Sequence, residues 1–159
     1  MATAVQTAVS VNPLAGAPGM EYDDSYSDIV SWIATVPIPF GCLVYESAEG
    51  KATLPTATGN VTGGRVGVAL IDHNKASQVG YEIGDAVRVM RRGRCWIRSE
   101  EALAFGDTLF VRFADGAGGT QEGAFRNDAD TATASTPPNM SLLRAGATNV
   151  AAVQIGDVS

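Results

Sequence analysis

The sequence predicts an all-β fold, a small β-barrel or β-sandwich with an extended N-terminal arm and long surface loops. Three observations carry this. One local device, an apolar residue, glycine, two residues and then an apolar run, occurs as "PFGCLVY" from Pro39, "EIGDAVRV" from Glu82 and "AFGDTLFV" from Ala104. Short runs rich in Val, Ile, Leu and Phe recur at roughly the 8 to 12 residue spacing of sandwiches and barrels, with longer excursions between some of them. Beyond residue 36 there is no long 3.6-residue periodicity, apart from room for a short turn at Ser99 to Leu103.

Taken in order, residues 1–20 form an uncharged arm in which Val5, Val9 and Val11 share parity before Pro13, Gly16, Pro18 and Gly19 break the pattern. The rest, 21–159, reads as a single β domain with a loop excursion at about 115–140, since 159 residues suffice for one core and not comfortably for two. "EYDDSYSD", Glu21 to Asp28, is acidic and holds Glu21, Asp23, Asp24 and Asp28. "IVSWIATV", Ile29 to Val36, suits a strand or a short helix, and Pro37 and Pro39 end it either way. The apolar runs are Leu43 to Tyr45, Val66 to Ile71, Ala86 to Met90, Cys95 to Ile97, Leu109 to Phe113 and Val150 to Ile155. Within the repeated device the glycine supplies the positive φ of a tight entry turn. In the last two copies the aspartate can accept from nearby backbone amides. The stretch "DGAGGTQEGAFRNDADTATASTPPN", Asp115 to Asn139, is polar and glycine-rich, either mobile or ordered by a neighbour.

The stretch "VRVMRRGRCWIR", Val87 to Arg98, concentrates five of the nine arginines of a chain whose net charge is -6. Gly93 marks a turn. A loop of Arg91, Arg92 and Gly93 would place Val87, Val89, Cys95 and Ile97 on a core face, and Arg88, Met90, Arg94, Trp96 and Arg98 outside. Arg88 would then lie across from Trp96, a stacking worth ~0.5 to 1 kcal/mol when exposed. Arg, Met and Trp are types enriched in interface cores, so this face is a candidate contact surface, with Arg91 and Arg92 at its tip. The anion it meets is protein carboxylate or nucleic-acid phosphate, and Glu21, Asp23, Asp24 and Asp28 are the candidate acidic counterpart.

Catalytic patterns are missing. The one histidine, His73 in "LIDHNKAS", reads as part of an Asp/Asn turn and not of a triad. "GNVTGGRVG" lacks the Lys-Ser/Thr and the helix of a phosphate loop, and "DGAGG" lacks the carboxylates of a calcium loop. Cys42 and Cys95 sit among apolar neighbours, as buried free thiols do, and form no metal set. No enzyme, cofactor or metal is expected. The negative net charge counts against general nucleic-acid binding. No uncharged stretch is apolar enough over ~20 residues to cross a bilayer, and the N-terminal segment lacks the basic start of a signal peptide. A soluble protein is expected. Only 18% of residues are charged, against roughly 25% in an average chain, which suits broad contact with other subunits.

Six segments in order, "IPFGCLV" from Ile38, "TLPTATG" from Thr53, "VGVAL" from Val66, "GYEIGDAVRVMRRGRCWI" from Gly80, "AFGDTLFVRF" from Ala104 and "GAFRNDADTATA" from Gly123, resemble the structural cement, or capsid decoration, proteins of tailed bacteriophages. The resemblance covers roughly residues 19 to 155. It implies a mostly β virion protein, made in the host cytoplasm, that binds the major capsid protein on the outside of an assembled head. It further implies homotrimers between capsomers that resist internal pressure, with no membrane. It transfers no catalytic or binding residues. The alternative is a small nucleic-acid-binding barrel using residues 88–98, with Trp96 as a stacking platform.

Overall fold

A computed structural model describes residues 16–145 and 149–156; most of the expected arm, residues 1–15, lies outside the described residues. Twelve strands and one short helix follow in order: β1 Asp28–Ala34, β2 Ile38–Pro39, β3 Leu43–Ala48, β4 Lys51–Thr53, α1 Thr58–Thr62, β5 Val66–Ala69, β6 Gly80–Tyr81 and β7 Ala86–Arg98, then β8 Phe110–Arg112, β9 Phe125–Arg126, β10 Ala134–Ser135, β11 Met140–Arg144 and β12 Val150–Ile155. The all-β expectation holds, and every apolar run named above forms a strand. "IVSWIATV" is a strand. Ser99 to Leu103 forms no helix, and the five-residue α1, which buries Val61, is too short to leave a periodic signal.

The main sheet runs β1-β4-β3-β5-β7-β12-β11, and β1 also pairs with β7, closing the first five strands into a barrel. A three-stranded sheet, β10-β8-β9, and the β2–β6 ribbon cover its flanks. One apolar cluster contains Trp32, Ile38, Phe40, Cys42, Val44, Tyr81, Val87 and Val89. Another contains Leu43, Val68, Met90, Cys95, Ile97, Leu109, Phe125 and Val153. Both thiols are free and buried, and desolvation pushes each up to about 12.

The expected arginine hairpin does not form. Val87 to Arg98 lies within a single 13-residue strand, because its two halves find different partners. β1 pairs with residues 86–92, from Ile33↔Ala86 to Asp28↔Arg92, and β12 pairs with residues 93–98, from Ile155↔Gly93 to Val150↔Arg98. Ile29 faces Met90 while Asp28 faces Arg92, so Arg91 is an extra residue, a bulge. The alternation is offset beyond it. Val87 and Val89 pack in one cluster, whereas Met90 joins Cys95 and Ile97 in the other. The single core face expected for Val87, Val89, Cys95 and Ile97 is therefore two faces.

The Asp115 to Asn139 excursion needs neither mobility nor a neighbour, because it is organised from within by two buried arginines. Arg112 is fully buried and all five of its N–H groups are used: a fork to Glu100 (2.6 and 2.9 Å), and bonds to Asp130 Oδ2 (2.6 Å), Thr133 Oγ1 (3.0 Å) and the Ala114 carbonyl (3.0 Å). Arg126 donates to Glu100 at 2.7 Å and to Asp128 at 2.6 and 2.8 Å. The glycines of "DGAGG" pack against these groups. A side chain at Gly116 would strike Asp130 and Arg112, and one at Gly119 would strike Glu100. Asp130, Thr131 and Ala132 adopt left-handed backbone with φ of 39°, 58° and 66°, a run that costs roughly 1–2 kcal/mol per residue and that the Asp130–Arg112 pair anchors.

All three device glycines have the expected positive φ: +80° at Gly41, +91° at Gly84 and +93° at Gly106. Asp85 accepts from the Glu82 N–H and Asp107 from the Ala104 N–H, both at 2.8 Å. A Cβ at Gly106 would meet nothing within 4 Å, whereas one at Gly41 would lie 2.7 Å from both Arg98 N and Pro18 Cβ. Gly106→Ala should therefore cost about 1 kcal/mol from backbone conformation alone, and Gly41→Ala clearly more, in urea unfolding.

Arg112→Met should destabilise by about 3–5 kcal/mol, since it strands Glu100 and Asp130. Hydrogen bonds from Arg112 and then Gly118 hold Asp130 below the ordinary carboxylate value. Because its folded pKa is depressed, its contribution is present above about pH 4 and is lost as pH falls through the folded value. The melting temperature should fall on acidification below pH 4, and Asp130→Asn should flatten that fall.

Candidate functional site

Residues ahead of β1 run antiparallel along the second half of β7. Gly19 N–H donates to the Trp96 carbonyl (2.7 Å), Trp96 N–H to the Met20 carbonyl (2.8 Å) and Tyr22 N–H to the Arg94 carbonyl (2.9 Å). This pairing carries the acidic segment onto the arginine strand. Arg88 meets Glu21 at 3.1 Å and also donates to the Ile71 carbonyl, while Arg94 meets Asp23 at 2.9 Å and donates to Gln154. Ser25, whose N–H donates to Asp23 at 3.1 Å, and Arg94 hold the Asp23 carboxylate below its usual range against a desolvation that opposes them. Each pair is partly exposed, so each is worth ~0–1 kcal/mol and guides the segment's register more than it stabilises the fold.

The remaining candidates divide. Met90 and Trp96 are buried and leave the outer face. The Arg88–Trp96 stacking is absent: Trp96 faces Ala152 across the strands, its ring centroid lies 5.5 Å from that of Tyr22, and the Gly16 backbone packs against its indole. The reason is the same as for the hairpin. Strand β7 does not fold back, so residues 88 and 96 are never opposite. Asp28 faces Arg92 in the β1–β7 register, Asp24 is exposed, and Arg98 reaches the Phe40 carbonyl at 3.5 Å. Arg91 and Arg92 are exposed and form no ion pair among the described residues. Arg92 borders an open groove of about 570 Å³ shared with Asn139, Ser141 and Gln154.

His73 is exposed in the expected turn, in which Asp72 accepts from the Asn74 N–H at 2.9 Å. Among the described residues, no group of three or more His, Cys, Asp or Glu side chains is placed to hold a metal ion. No helix is long and apolar enough to cross a membrane. What remains is a β scaffold with shaped surfaces, and comparison with known proteins accords with it. The family model described as structural cement protein (E217 gp24/Pam3 gp6) matches residues 5–156. The chain belongs to the phage structural cement protein family.

This cement protein also shares its fold with a chain from the capsid of Myoviridae phage XM1, at a TM-score of 0.73 and 16% identity over 99% of this chain and 100% of that one. No curated protein sequence matches it. As a cement protein its role is structural, in the phage capsid.

Two sets of residues escape a sequence reading. The buried Arg112 and Arg126 and the half-buried Glu100 and Asp130 are one; the available signal is an arginine between Val and Phe in "FVRF" and one directly after Ala-Phe in "AFRN". Ile83 and Phe105 are 68% and 82% exposed, and each stands immediately before a device glycine. The corrected placement of Trp96 has a direct consequence. Trp96→Ala should cost about 3–5 kcal/mol in denaturant unfolding, as for a buried tryptophan, whereas an indole on a solvated face would leave stability within ~0.5 kcal/mol.

Proposed function

We propose that this cement protein binds the outer surface of an assembled phage head, as homotrimers between capsomers with the major capsid protein as partner, and holds the shell against internal pressure. The observation that carries this reading is the family match along residues 5–156. The capsid origin of the XM1 chain supports it. In this reading the chain is made in the host cytoplasm, catalyses nothing, takes no cofactor and touches neither membrane nor nucleic acid directly. Residues 1–20 act as the arm and the remainder as the docking body. An uncharged arm can add a strand to a neighbour's sheet edge with main-chain hydrogen bonds and little sequence demand. Many weak contacts repeated by symmetry then sum to firm attachment.

The nucleic-acid alternative loses its two supports. Trp96 is buried and offers no stacking platform, and Arg88 and Arg94 already meet Glu21 and Asp23. The exposed Arg91 and Arg92 keep their candidacy as a contact with protein carboxylates, and the exposed Asp24 as a contact with a basic side chain.

Heads assembled without this chain, incubated with the purified protein and compared by reconstruction, should gain density at local threefold positions on the outer surface and should withstand higher temperature before releasing their contents. Density inside the shell, or none, would contradict the proposal. Arg91→Glu with Arg92→Glu should reduce trimerisation or attachment with the melting temperature unchanged. Because Gly19 and Met20 bond to Trp96, the arm is removed at residue 15; that deletion should lower occupancy and leave the barrel folded.

A further inference from the structure

The three device turns treat their apolar residue in two opposite ways. In "PFGC" the aromatic is swallowed: Phe40 is 2% exposed and meets Tyr81 edge-on at 5.2 Å. In "EIGD" and "AFGD" it is held out in water, at 68% for Ile83 and 82% for Phe105. Those two turns are built alike. The fourth residue's N–H donates to the first residue's carbonyl, Asp85 to Glu82 at 3.1 Å and Asp107 to Ala104 at 3.0 Å. Each aspartate carboxylate accepts in return from the first residue's N–H. With positive φ at the third residue only, this is type II geometry. A Cβ on either glycine would meet open space, so each glycine is present for the turn and not for packing.

We propose that Ile83 and Phe105 are preorganised docking knobs that insert into apolar, uncharged sockets on the shell protein of the head. This deepens the proposed function and rests on it. Three features support the assignment. A large apolar side chain fixed on a reciprocally bonded turn loses little freedom on binding, which is how interface anchors gain affinity. Two of the carboxylates beside the knobs are already engaged, Asp85 by its own turn and Lys75, and Asp107 by its own turn, while the exposed Glu82 stays in water at the rim of the contact. A groove of about 300 Å³ with Pro37, Pro39, Val79 and Glu82 lies beside Ile83's turn, and Phe105 borders one of about 360 Å³ with Leu109, Thr136, Met140 and Leu142.

The positions suit a cement. The Ile83 turn abuts the end of β1, where Gly84 N–H bonds the Ala34 carbonyl, on the barrel itself. Phe105 stands beside β11, the outermost strand of the sheet extension. Two knobs on separate parts of the molecule can grip two shell subunits, and bridging is what cementing requires.

The test uses the full chain and heads purified without it. Ile83→Ser and Phe105→Ser should each raise the half-saturating concentration by about tenfold, and the double variant by about the product of the two. Ile83→Val and Phe105→Leu should stay within about threefold of wild type, and all variants should keep its melting temperature and oligomeric mass. Wild-type decoration with equal decoration by the serine variants overturns the knobs alone. Loss of self-association in place of shell attachment makes a second copy the occupant and also overturns them. Failure of the wild-type chain to decorate heads overturns the proposed function and this inference together.

Discussion

Strand β7 is the constraint on which the rest of the molecule depends. It is a wall of the closed barrel through β1 and β5, and through β12 it is the root of the sheet extension that ends in β11. One strand can serve two layers only if its faces exchange along the way. The extra residue at Arg91 does this, sending Val87 and Val89 into one cluster and Met90, Cys95 and Ile97 into the other. Gly93, with φ of +134° and both Met90 Sδ and Ser27 Cβ within 3.1 Å of where a side chain would begin, sits where the strand passes from one set of partners to the next.

The charges follow from that geometry. An acidic chain carries a basic strand because the segment preceding β1 lies on it, and Glu21 and Asp23 answer Arg88 and Arg94. A second, deeper set of charges, Arg112 and Arg126 with Glu100, Asp128 and Asp130, converts a polar excursion into an ordered lobe around β9 and β10. Both sets of charges serve register and order, and among the described residues the exposed features include apolar turn tips and the pair Arg91 and Arg92.

Local chemistry was legible in the sequence, and long-range pairing was not. The glycines at 41, 84 and 106 and the aspartates at 85 and 107 do what turn chemistry requires of them, because a turn is decided within four residues. The course of the arginine stretch is not legible locally because its partner β12 lies more than 50 residues further on, and nothing local distinguishes a glycine in a hairpin from a glycine inside a continuous strand. The acidic counterpart was visible as composition, but its placement on the same chain depended on the Gly19, Met20 and Tyr22 backbone pairing. Arg112 and Arg126 look like surface residues until the carboxylates that bury them are brought in from residues 100, 128 and 130.

Within the arginine strand Arg88 and Arg94 form an internal seam, and we propose that outward contact comes from the exposed turns and from Arg91 and Arg92. A side-chain-resolution reconstruction of decorated heads tests it most directly. The expected result is Arg88 on Glu21 and Arg94 on Asp23 of the same chain, with the Ile83 and Phe105 turns turned into the shell. Release of Arg88 and Arg94 to carboxylates of another subunit, with both turns left in solvent, would contradict it.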